Sequence, residues 1–428
     1  MPTAPKKVIQ GWAMYDWANS VYNLVITTTF FPAYYAAVTS LKNFPDGISF
    51  LGRRFVNTEL KDYVLAFGFL IIALISPILS SIADYKGNKK NFMRFFCYLG
   101  ATSCSLMFLF DSDHITLGLM CFMFAGIGFY GSQVFYNSYL PDIAAEEDMD
   151  RISARGYTMG YIGSVLMQMV GFALVMLMED KQMALKITFL LVGIWWVGFA
   201  QFTFSRLPII PKKERQARRH VLVNGFHELT LVFRQVRTMP VLKRFLGAFF
   251  FYNMGVQTVM LVAIDFGIKE LKLPDDRLII VAVMIQLVAI AGALLMSKLS
   301  SVYGNLRVLL FTVLLWIGVC ITGYYVQSET HFYILGGLVG LVMGGIQSLS
   351  RSTYSKLMPE TRDTASFFSF YDVTEKLAIV IGLFTFGFIE GISSIRNSIL
   401  SLIIFFVIGF IILMLTEHKQ RSEKNKSI

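Results

Sequence analysis

The sequence predicts an all-α membrane protein with twelve transmembrane helices in two pseudo-symmetric six-helix halves. Three observations lead to this fold class: the composition, the number and length of the apolar runs, and a polar stretch that divides those runs six and six. Of the 428 residues, 55% are apolar and only 15% are charged, and the mean hydropathy is +0.59. A soluble domain carries about 25% charged residues, so the composition favours a chain that faces lipid.

Twelve apolar runs recur along the chain, and each approaches or exceeds the length of about 20 residues that a membrane-spanning helix needs. They span residues 12–38, 63–83, 92–110, 115–140, 156–178, 185–205, 243–267, 278–299, 307–326, 332–350, 366–389 and 397–416. A long polar stretch separates the sixth run from the seventh. We therefore expect four regions: an N-terminal six-helix half (1–205), a cytoplasmic linker (206–242), a C-terminal six-helix half (243–416) and a disordered cytoplasmic tail (417–428).

The basic residues are distributed unevenly between the two ends of the predicted helices. Most of the 38 Lys and Arg residues fall in the segments on the same side as the N-terminus, and a minority fall in the alternate loops. Segments rich in Lys and Arg stay in the cytoplasm under the positive-inside rule. We therefore expect both termini to be cytoplasmic. The net charge of +10 reflects this topology rather than a nucleic-acid partner.

The residues that carry out catalysis or hold cofactors in enzymes form no recognisable pattern here. All four cysteines lie in apolar runs, at Cys97, Cys104, Cys121 and Cys320. This placement indicates neither a disulfide framework nor a metal cluster. No nucleophile motif or phosphate-binding loop stands out either. We therefore expect a protein that is not an enzyme and that needs no cofactor or metal.

Part of the predicted linker has the periodicity of an amphipathic helix. Apolar residues recur there at intervals of three and four, at Leu222, Phe226, Leu229, Phe233 and Val236. An apolar stripe with this spacing lies along one face of a helix, and polar residues occupy the other face. We expect this helix to lie on the cytoplasmic surface of the membrane.

The first apolar run carries a line of polar residues, at Asp16, Asn19, Asn23 and Thr27. Their spacing of i, i+3, i+7 and i+11 puts them on one face of a helix. Polar side chains inside a membrane either bond to neighbouring helices or face a water-filled space. One interpretation is that the stripe joins helices, and the other, which we favour, is that it lines a polar cavity inside the bundle.

Other predicted helices carry amides and hydroxyls that suit the same cavity. Pairs of amides four residues apart occur on the fourth and seventh runs, and the seventh is the counterpart of the first. The candidate substrate-binding residues are Asn19, Asn23, Gln133, Asn137, Tyr161, Asn253, Gln257 and Gln347. Such groups suit a small polar solute. By contrast, we expect Arg155 and Arg351 to anchor the cytoplasmic rim rather than to bind substrate.

The eleventh run contains three charged residues, Asp372, Glu375 and Lys376. A charged group in the middle of a membrane costs at least about 2.5–3.5 kcal/mol, so this cluster needs an explanation. A structural ion pair is one interpretation. The other is proton coupling, because burial raises the pKa of a carboxyl group and a neighbouring lysine lowers it. The candidate proton-coupling residues are Glu375 and Asp372, followed by Asp16, which we expect to be hydrated near the cytoplasmic end.

Two short matches indicate that the second half repeats the first. Gly87-Asn88, after the second run, matches Gly304-Asn305 after the eighth. Pro141, which ends the fourth run, matches Pro359 after the tenth. The two offsets agree within one residue, which favours a duplication. Repeats of this kind place a binding site between the halves, near the middle of the membrane.

The loop at residues 80–90, SSIADYKGNKK, resembles the hallmark loop between helices two and three of the major facilitator superfamily. The resemblance implies a conformational latch between helix ends, formed here by Asp84, Gly87 and Lys86. Gly87 permits a tight turn, and Asp84 can pair with a basic group or a helix N-terminus. The second copy has Ser301 in place of the acid, so we expect no second latch.

Several motifs also resemble the vacuole-effluxer-like (unknown major facilitator) family within that superfamily. They are YDWANSVY (15–22), NSYLPDIA (137–144), GYTMGYIGS (156–164), YNMGVQT (252–258) and GGIQSLSRSTYSKLMP (344–359). This resemblance implies the twelve-helix major facilitator fold and a transporter. The eukaryotic members are associated with amino-acid export from the vacuole, whereas most bacterial members have no assigned substrate, so the resemblance leaves the substrate open. The compact length and short loops are similar to the bacterial branch, which implies the bacterial inner membrane.

Together these features predict a secondary active transporter that moves a small polar solute by alternating access, as a proton-coupled symporter or antiporter. The expected partners are the small-molecule substrate, the proton as coupling ion and the lipid bilayer. We expect a monomer with no nucleic-acid partner. The alternative is a passive facilitator or a transporter-derived sensor that does not pump.

Overall fold

The structure is a computed structural model that describes residues 2–40, 44, 47–50, 52–55, 57–209 and 221–426. Its first helices are α1 (Lys6–Val21), α2 (Phe31–Val38), α3 (Asn57–Lys86), α4 (Lys89–Leu106), α5 (Ile115–Ser138), α6 (Leu140–Ile143), α7 (Met149–Leu177) and α8 (Lys181–Arg206). Short 3₁₀ turns occur at Met107–Leu109 and Glu146–Asp148. Between α2 and α3, strands β1 (Ile48–Phe50) and β2 (Arg53–Phe55) form an antiparallel hairpin.

The remaining helices follow in chain order. They are α9 (Val221–Thr238), α10 (Pro240–Lys269), α11 (Asp275–Tyr303), α12 (Asn305–Tyr325), α13 (Glu329–Leu357), α14 (Thr364–Ile392) and α15 (Ile395–Lys426). Many large apolar side chains on the outer faces of these helices are exposed, as Met176 and Phe384 are. This is the surface that a lipid bilayer would cover.

Ten of the described helices are long and apolar enough to cross a membrane, judged by length and composition alone. The two other predicted spans are the first and the eleventh. The first is divided into α1, a π-helix and α2, and the other, α14, contains Asp372, Glu375 and Lys376. The first of these segments is interrupted by the π-helix and the other carries three charged residues, so neither is a continuous apolar α-helix.

The spacing of the polar residues predicted one regular α-helix for the first apolar run. The structure differs from this prediction. A π-helix, Tyr22–Phe30, lies between α1 and α2. Because its hydrogen bonds join residue i to i+5 rather than i+4, the polar stripe loses its regular period there. The Thr27 hydroxyl is buried and has no hydrogen-bond partner among the described residues. The hydroxyls of Thr28 and Thr29 both donate to the carbonyl of Leu24, within the π-helix.

The buried apolar side chains form two large cores. One contains Trp12, Phe31, Phe122 and Trp196 and is built almost wholly from α1–α8. The other contains Trp316 and Phe406 among its members and is built almost wholly from the helices after residue 230. Each set of helices therefore buries its apolar surface mainly within itself.

Contacts between helix termini define one end of the bundle. The backbone N–H of Ala4, just before α1, donates to the carbonyl of Ile143 at the end of α6 (2.8 Å). At the same end, Arg307 at the start of α12 pairs with Glu417 of α15 (3.1 Å). We call this the basic end, because it carries the Lys- and Arg-rich segments, and we call the other the opposite end.

The two matching turns of the predicted repeat lie at the basic end and have the same backbone feature. Gly87, between α3 and α4, has φ +64° and Gly304, between α11 and α12, has φ +86°. Positive φ values of this size are unfavourable for residues with a Cβ atom, so glycine suits both turns. Each turn lets the chain reverse direction between two long helices.

Helix α9 lies where the linker periodicity indicated an amphipathic helix. It packs against α3 and also contacts α10 and α14. Val232 and Val236 are buried and belong to the second core, and the Phe233 ring lies 6.1 Å from that of Phe370. The buried part of the apolar face therefore packs against protein. The side chains of residues 221–226, 228 and 229 lie outside the description.

The predicted disorder after Thr416 is wrong for residues 417–426, because α15 continues to Lys426. The polar composition that suggested disorder also suits a solvated helix. Glu417 pairs with Arg421 and Lys419 pairs with Glu423, both four residues apart. Pairs with this spacing stabilise a helix, and Glu417 also anchors the segment to Arg307 of α12.

Candidate functional site

Arg351 of α13 is the largest buried cation in the centre of the bundle, with a side chain only 1% exposed. Its Nη1 donates to Asp16 Oδ2 of α1 (3.3 Å) and to Asn137 Oδ1 of α5 (3.2 Å). Its Nε donates to the Ser153 hydroxyl of α7 (2.9 Å), and its Nη2 donates to the carbonyl of the same residue (2.8 Å). One guanidinium group therefore links α13 to three helices that belong to the other core.

Aromatic rings enclose this ion pair. The guanidinium carbon of Arg351 lies 4.8 Å from the ring centre of Trp12, 5.5 Å from that of Tyr136 and 4.3 Å from that of Tyr157. The Tyr136 hydroxyl donates to Asp16 Oδ2 (2.7 Å). Rings stacked on a guanidinium stabilise its charge where water is excluded. Asp16, Arg351 and these three aromatic residues form what we call the arginine cluster.

Glycines on α7 let α1 approach closely enough to build the arginine cluster. A Cβ atom on Gly156 would lie 2.5 Å from Asp16 Oδ2 and 2.9 Å from Arg351 Nη2. Further along the same face, a Cβ on Gly160 would lie 2.5 Å from the Ser20 hydroxyl oxygen. Small residues at such spacing are typical of close helix packing in membranes.

The arginine cluster corrects two expectations from the sequence. Arg351 does not anchor the rim, because its side chain is buried against Asp16, 335 positions away in the chain. Asp16 is not a hydrated carboxylate, because it is 3% exposed and accepts bonds from Arg351 and Tyr136. By contrast, Arg155 is exposed, as expected for a residue at the rim.

Lys376 of α14 is the centre of a second buried cluster. Its Nζ lies 2.7 Å from Asp372 Oδ1 and 3.0 Å from Glu375 Oε2, and 4.5 Å from the ring centre of Tyr130 on α5. The other carboxylate oxygen of Asp372 is buried and has no hydrogen-bond partner among the described residues. We call these four residues the lysine cluster, which carries two carboxylates for one ammonium group.

Amides from both cores reach the lysine cluster. Gln257 Nε2 of α10 donates to Glu375 Oε1 (3.2 Å) and lies 3.5 Å from Asn253 Oδ1. From the other side, the Tyr130 hydroxyl donates to Asn23 Oδ1 (3.4 Å). Asn23, Asn253 and Gln257 therefore meet around the lysine cluster.

The other predicted binding residues are distributed around the two clusters. The Tyr161 hydroxyl donates to Gln347 Oε1 (2.7 Å), which joins α7 to α13. Gln133 faces the carboxylate of Asp16. Asn19 is fully buried, and neither its amide oxygen nor its amide nitrogen has a partner in the described part of the chain. The structure thus brings Asn137 and Gln133 to the arginine cluster, and it leaves Asn19 as an unsatisfied polar group.

Tyr157 of α7 belongs to the arginine cluster, because its ring lies 4.3 Å from the guanidinium carbon of Arg351. Together the clusters hold three carboxylates and two cations between the two cores. Within the described residues, no group of three or more His, Cys, Asp or Glu side chains is placed to hold a metal ion.

The sequence reasoning missed several residues of these clusters. Tyr130 shares the i, i+3, i+7 face of α5 with Gln133 and Asn137, so the helical spacing contained a signal for it. Tyr136 and Ser153 had no such signal. Their roles depend on Asp16 and Arg351 meeting, which no local pattern encodes.

Comparison with known proteins decides the family. Residues 4–426 match the family described as "Vacuole effluxer Atg22 like". The chain is also 33% identical to the uncharacterized MFS-type transporter YxiO of Bacillus subtilis, over 94% of this chain and 93% of that protein. The chain belongs to the vacuole effluxer Atg22-like family. Autophagy-related protein 22 of Kluyveromyces lactis is a more distant relative, 24% identical over 96% of this chain and 93% of its own length.

The family assignment agrees with the architecture. Among solved structures, FucP of E. coli in the outward conformation is similar with a TM-score of 0.71 at 14% identity, covering 96% of this chain and 97% of FucP. The predicted major facilitator fold with twelve transmembrane helices is therefore confirmed. The vacuole effluxer Atg22-like family and its fold are those of MFS-type transporters rather than of enzymes.

In this family member, Asp84 bonds to the first turn of α14 at the basic end. Its carboxylate accepts the backbone N–H groups of Ala365 (3.2 Å) and Ser366 (2.7 Å) and the Ser366 hydroxyl (2.7 Å). A carboxylate at this position satisfies free N–H groups and complements the helix dipole. Asp84 lies at the end of α3, so this contact joins the two sets of helices.

The cation in this region is Lys89 rather than the predicted Lys86, whose side chain is exposed. Lys89 is buried, and its ammonium group lies 2.7 Å from Asp142 and 4.0 Å from Asp84. It also bonds to the Thr364 hydroxyl at the start of α14. The prediction was wrong because the Gly87 turn directs Lys89, the first residue of α4, towards α14.

A second acid at the basic end, Asp150 in the first turn of α7, contacts α11, α12 and α13. Its Oδ2 accepts the Ser300 hydroxyl (2.8 Å) and lies 2.7 Å from the Lys356 ammonium group, and its Oδ1 accepts Asn305 Nδ2 (2.6 Å). The second matching turn therefore does take part in a contact between the halves. The acid in this contact comes from α7, and Ser301, the position equivalent to Asp84, is exposed.

Proposed function

We propose that this protein is a secondary active transporter that moves a small polar solute, such as an amino acid, by alternating access. In this proposal, residues 1–205 and 243–416 rock against each other around the arginine and lysine clusters, with 206–242 as the linker. The observation that carries it is the buried Asp16–Arg351 pair, which joins the two cores inside the membrane. Buried charges with partners on opposite sides of an interface mark transport pathways in membranes.

The distribution of contacts supports movement of the two halves. Apolar residues pack mainly within each core, whereas several contacts between the cores are hydrogen bonds and ion pairs at Asp84, Asp150 and Arg351. Polar contacts of this kind can exchange for water when an interface opens. The similarity to FucP, solved in the outward conformation, supports the same cycle.

The side chains around the clusters support a small polar solute. Asn23, Gln133, Asn137 and Gln257 are all partly exposed, and their amides offer both donors and acceptors. Gln347 and Tyr161 add a further polar pair. A zwitterion has one group for the cations and one for the carboxylates of the clusters. The description of the family as vacuole effluxers supports a solute of the kind that is exported.

We further propose that the proton is the coupling ion and that Asp372 and Glu375 are the residues to test first. Asp372 is buried with one oxygen unsatisfied, whereas the Glu375 side chain is 25% exposed. Asp16 ranks third, because Arg351 already compensates its charge. FucP is named a fucose:proton symporter, which supports proton coupling in a protein of this fold.

Proton coupling predicts that uptake of a labelled amino-acid mixture into proteoliposomes will respond to an imposed pH gradient. Asp372→Asn should lose most of that response, because the amide cannot exchange a proton, and Glu375→Gln should lose less. Glu390→Gln is the matched control, since Glu390 lies at the far end of α14 and pairs with Lys269 (2.8 Å). A wild-type protein that transports but ignores the gradient would favour the passive facilitator instead.

We propose that the basic end is cytoplasmic, in the inner membrane of a bacterium, and that the protein is a monomer. Reporter fusions after residue 220 and after Ile428 should then report the cytoplasm, and a fusion near Phe50 should report the other side. The reason is the excess of Lys and Arg in the segments at the basic end. Opposite locations for the fusions after 220 and 428 would contradict the twelve-helix topology.

A further inference from the structure

We propose that the site between the two cores selects a solute with one net positive charge, whose ammonium or guanidinium group binds the carboxylate of Glu375. A cationic amino acid is the simplest solute of this class. The inference rests on the proposed function and adds the charge of the solute to it. Two observations carry it: the charge balance of the arginine and lysine clusters, and the exposure of their charged groups.

The two clusters together carry one negative charge in excess. Asp16 pairs with Arg351, and Asp372 pairs with Lys376. Each of these pairs is neutral as a whole, so the excess charge corresponds to the carboxylate of Glu375. A charge without a full counter-charge is unfavourable inside a membrane. A cation carried by the solute would remove this excess.

Glu375 is also the charged group of these clusters that a solute reaches most easily. Its side chain is 25% exposed, whereas the side chains of the four other charged residues are at most 5% exposed. The guanidinium group of Arg351 is enclosed by three aromatic rings, and the ammonium group of Lys376 lies against the ring of Tyr130. Both cations are therefore shielded, and an entering solute meets a carboxylate first.

The partly exposed groups beside Glu375 suit a cation. The ring of Tyr130 is partly exposed, and the faces of aromatic rings stabilise ammonium and guanidinium groups. Asn23 is partly exposed as well. Its side-chain oxygen accepts the Tyr130 hydroxyl and has a second lone pair for a donor on the solute. A carboxylate, a ring face and an amide oxygen are thus available to one cationic group.

Two buried polar atoms in this region have no hydrogen-bond partner among the described residues. They are Oδ2 of Asp372 and Nδ2 of Asn253, and both residues are only 4% exposed. Buried polar atoms are nearly always hydrogen-bonded, so both atoms indicate a partner from outside the chain. The carboxylate oxygen suits the cation, and the amide nitrogen can donate to the carboxylate group of an amino acid. Gln257 Nε2 lies 3.2 Å from Glu375 Oε1 and 3.5 Å from Asn253 Oδ1, so one small solute can contact both residues.

The test compares matched pairs of solutes by their affinities for the purified full-length protein, measured by isothermal titration calorimetry in detergent. Lysine is paired with norleucine and arginine with citrulline, so that the members of each pair differ by one positive charge. The cationic member should bind at least about tenfold more tightly, because a hydrogen bond to a charged group contributes at least that factor. Aminoadipate, which has a carboxylate at the end of a similar chain, should bind most weakly.

Glu375→Gln removes the excess charge and keeps the shape of the side chain. In this variant the preference for the cationic member of each pair should disappear, while the neutral members bind as they do to the wild type. Glu375→Asp keeps the charge and should keep the preference. Glu390→Gln is the matched control, because it makes the same change at the far end of α14, where Glu390 pairs with Lys269. It should bind every solute as the wild type does.

The outcomes separate this inference from the proposed function. Neutral members that bind the wild type as tightly as their cationic partners would overturn cation selection and leave the transporter proposal intact. A preference that persists in Glu375→Gln would overturn the role of Glu375. Should that variant fail to fold, loss of the preference in Glu375→Asp would overturn the same role. If no solute of the set binds, the inference is also overturned, and uptake of the labelled mixture then tests the proposed function separately.

Discussion

Replacing Arg351 with glutamine is expected to lower the free energy of unfolding by about 3–5 kcal/mol, because the buried Asp16 carboxylate then loses its cation. The pair is almost completely buried, with side chains that are 1% and 4% exposed. Glutamine keeps some hydrogen bonds to Ser153 and Asn137 but not the charge. Uptake should also be lost, since the cluster lies at the centre of the proposed pathway. Denaturant unfolding of the purified protein in detergent measures the first effect.

Two further variants identify the cause of the loss of stability. Arg155→Gln removes an exposed arginine of α7 and should change stability by less than about 0.5 kcal/mol. Asp16→Asn combined with Arg351→Gln leaves no buried charge unpaired, so the double variant should recover part of the stability. Equal stability of Arg351→Gln and Arg155→Gln would mean that the ion pair does not hold α1 to α13.

Gly156→Ala is expected to have the next largest effect, because the new Cβ would be forced between the two charged groups. It would lie 2.5 Å from Asp16 Oδ2, 2.9 Å from Arg351 Nη2 and 3.0 Å from the Tyr136 hydroxyl oxygen. Carbon cannot approach oxygen so closely, so α1 must move away from α7 or the ion pair must separate. Overpacking of this kind costs about 1–3 kcal/mol, and we expect uptake to fall with it.

Gly198→Ala is the matched control for Gly156→Ala. Gly198 lies inside α8, where an added Cβ meets no atom within 4 Å. There the substitution should stabilise the protein by about 0.5–1 kcal/mol, as alanine is the better helix former. The free energies of unfolding of the two variants should therefore change in opposite directions, and uptake should fall only in Gly156→Ala. If both glycines tolerate alanine equally, the close approach of α1 and α7 at the arginine cluster is not needed.

Much of the fold followed from short-range patterns in the sequence. The apolar runs depend on composition over about 20 residues, and a lipid-facing surface imposes that composition directly. The glycine turns followed from the repeat and from the conformations that glycine alone adopts easily. The π-helix did not, because no short-range pattern in residues 22–30 distinguishes hydrogen bonds from i to i+5 from those from i to i+4.

The pairing of charges was much harder to predict. Asp372, Glu375 and Lys376 lie within one turn of one helix, so their contact could be read from spacing. Asp16 and Arg351 lie on different halves, and Arg351 was assigned to the rim because it follows the last apolar residues of its run. Lys86 and Lys89 are the same residue type on either side of Gly87, and the direction of the turn at Gly87 decides which one is buried. Partner choice across an interface is a property of the whole fold.

The separation of the apolar side chains into two cores has a consequence for how the chain assembles. Each half buries most of its apolar side chains within itself, as each subunit of a heterodimer does. The surface between the halves resembles the polar interfaces of proteins that associate transiently. The covalent connection between the halves keeps the partners at a high effective concentration, and α9 also packs against helices of both halves. Two polypeptides that divide within 210–220 should accordingly find each other in the membrane and restore a complete protein.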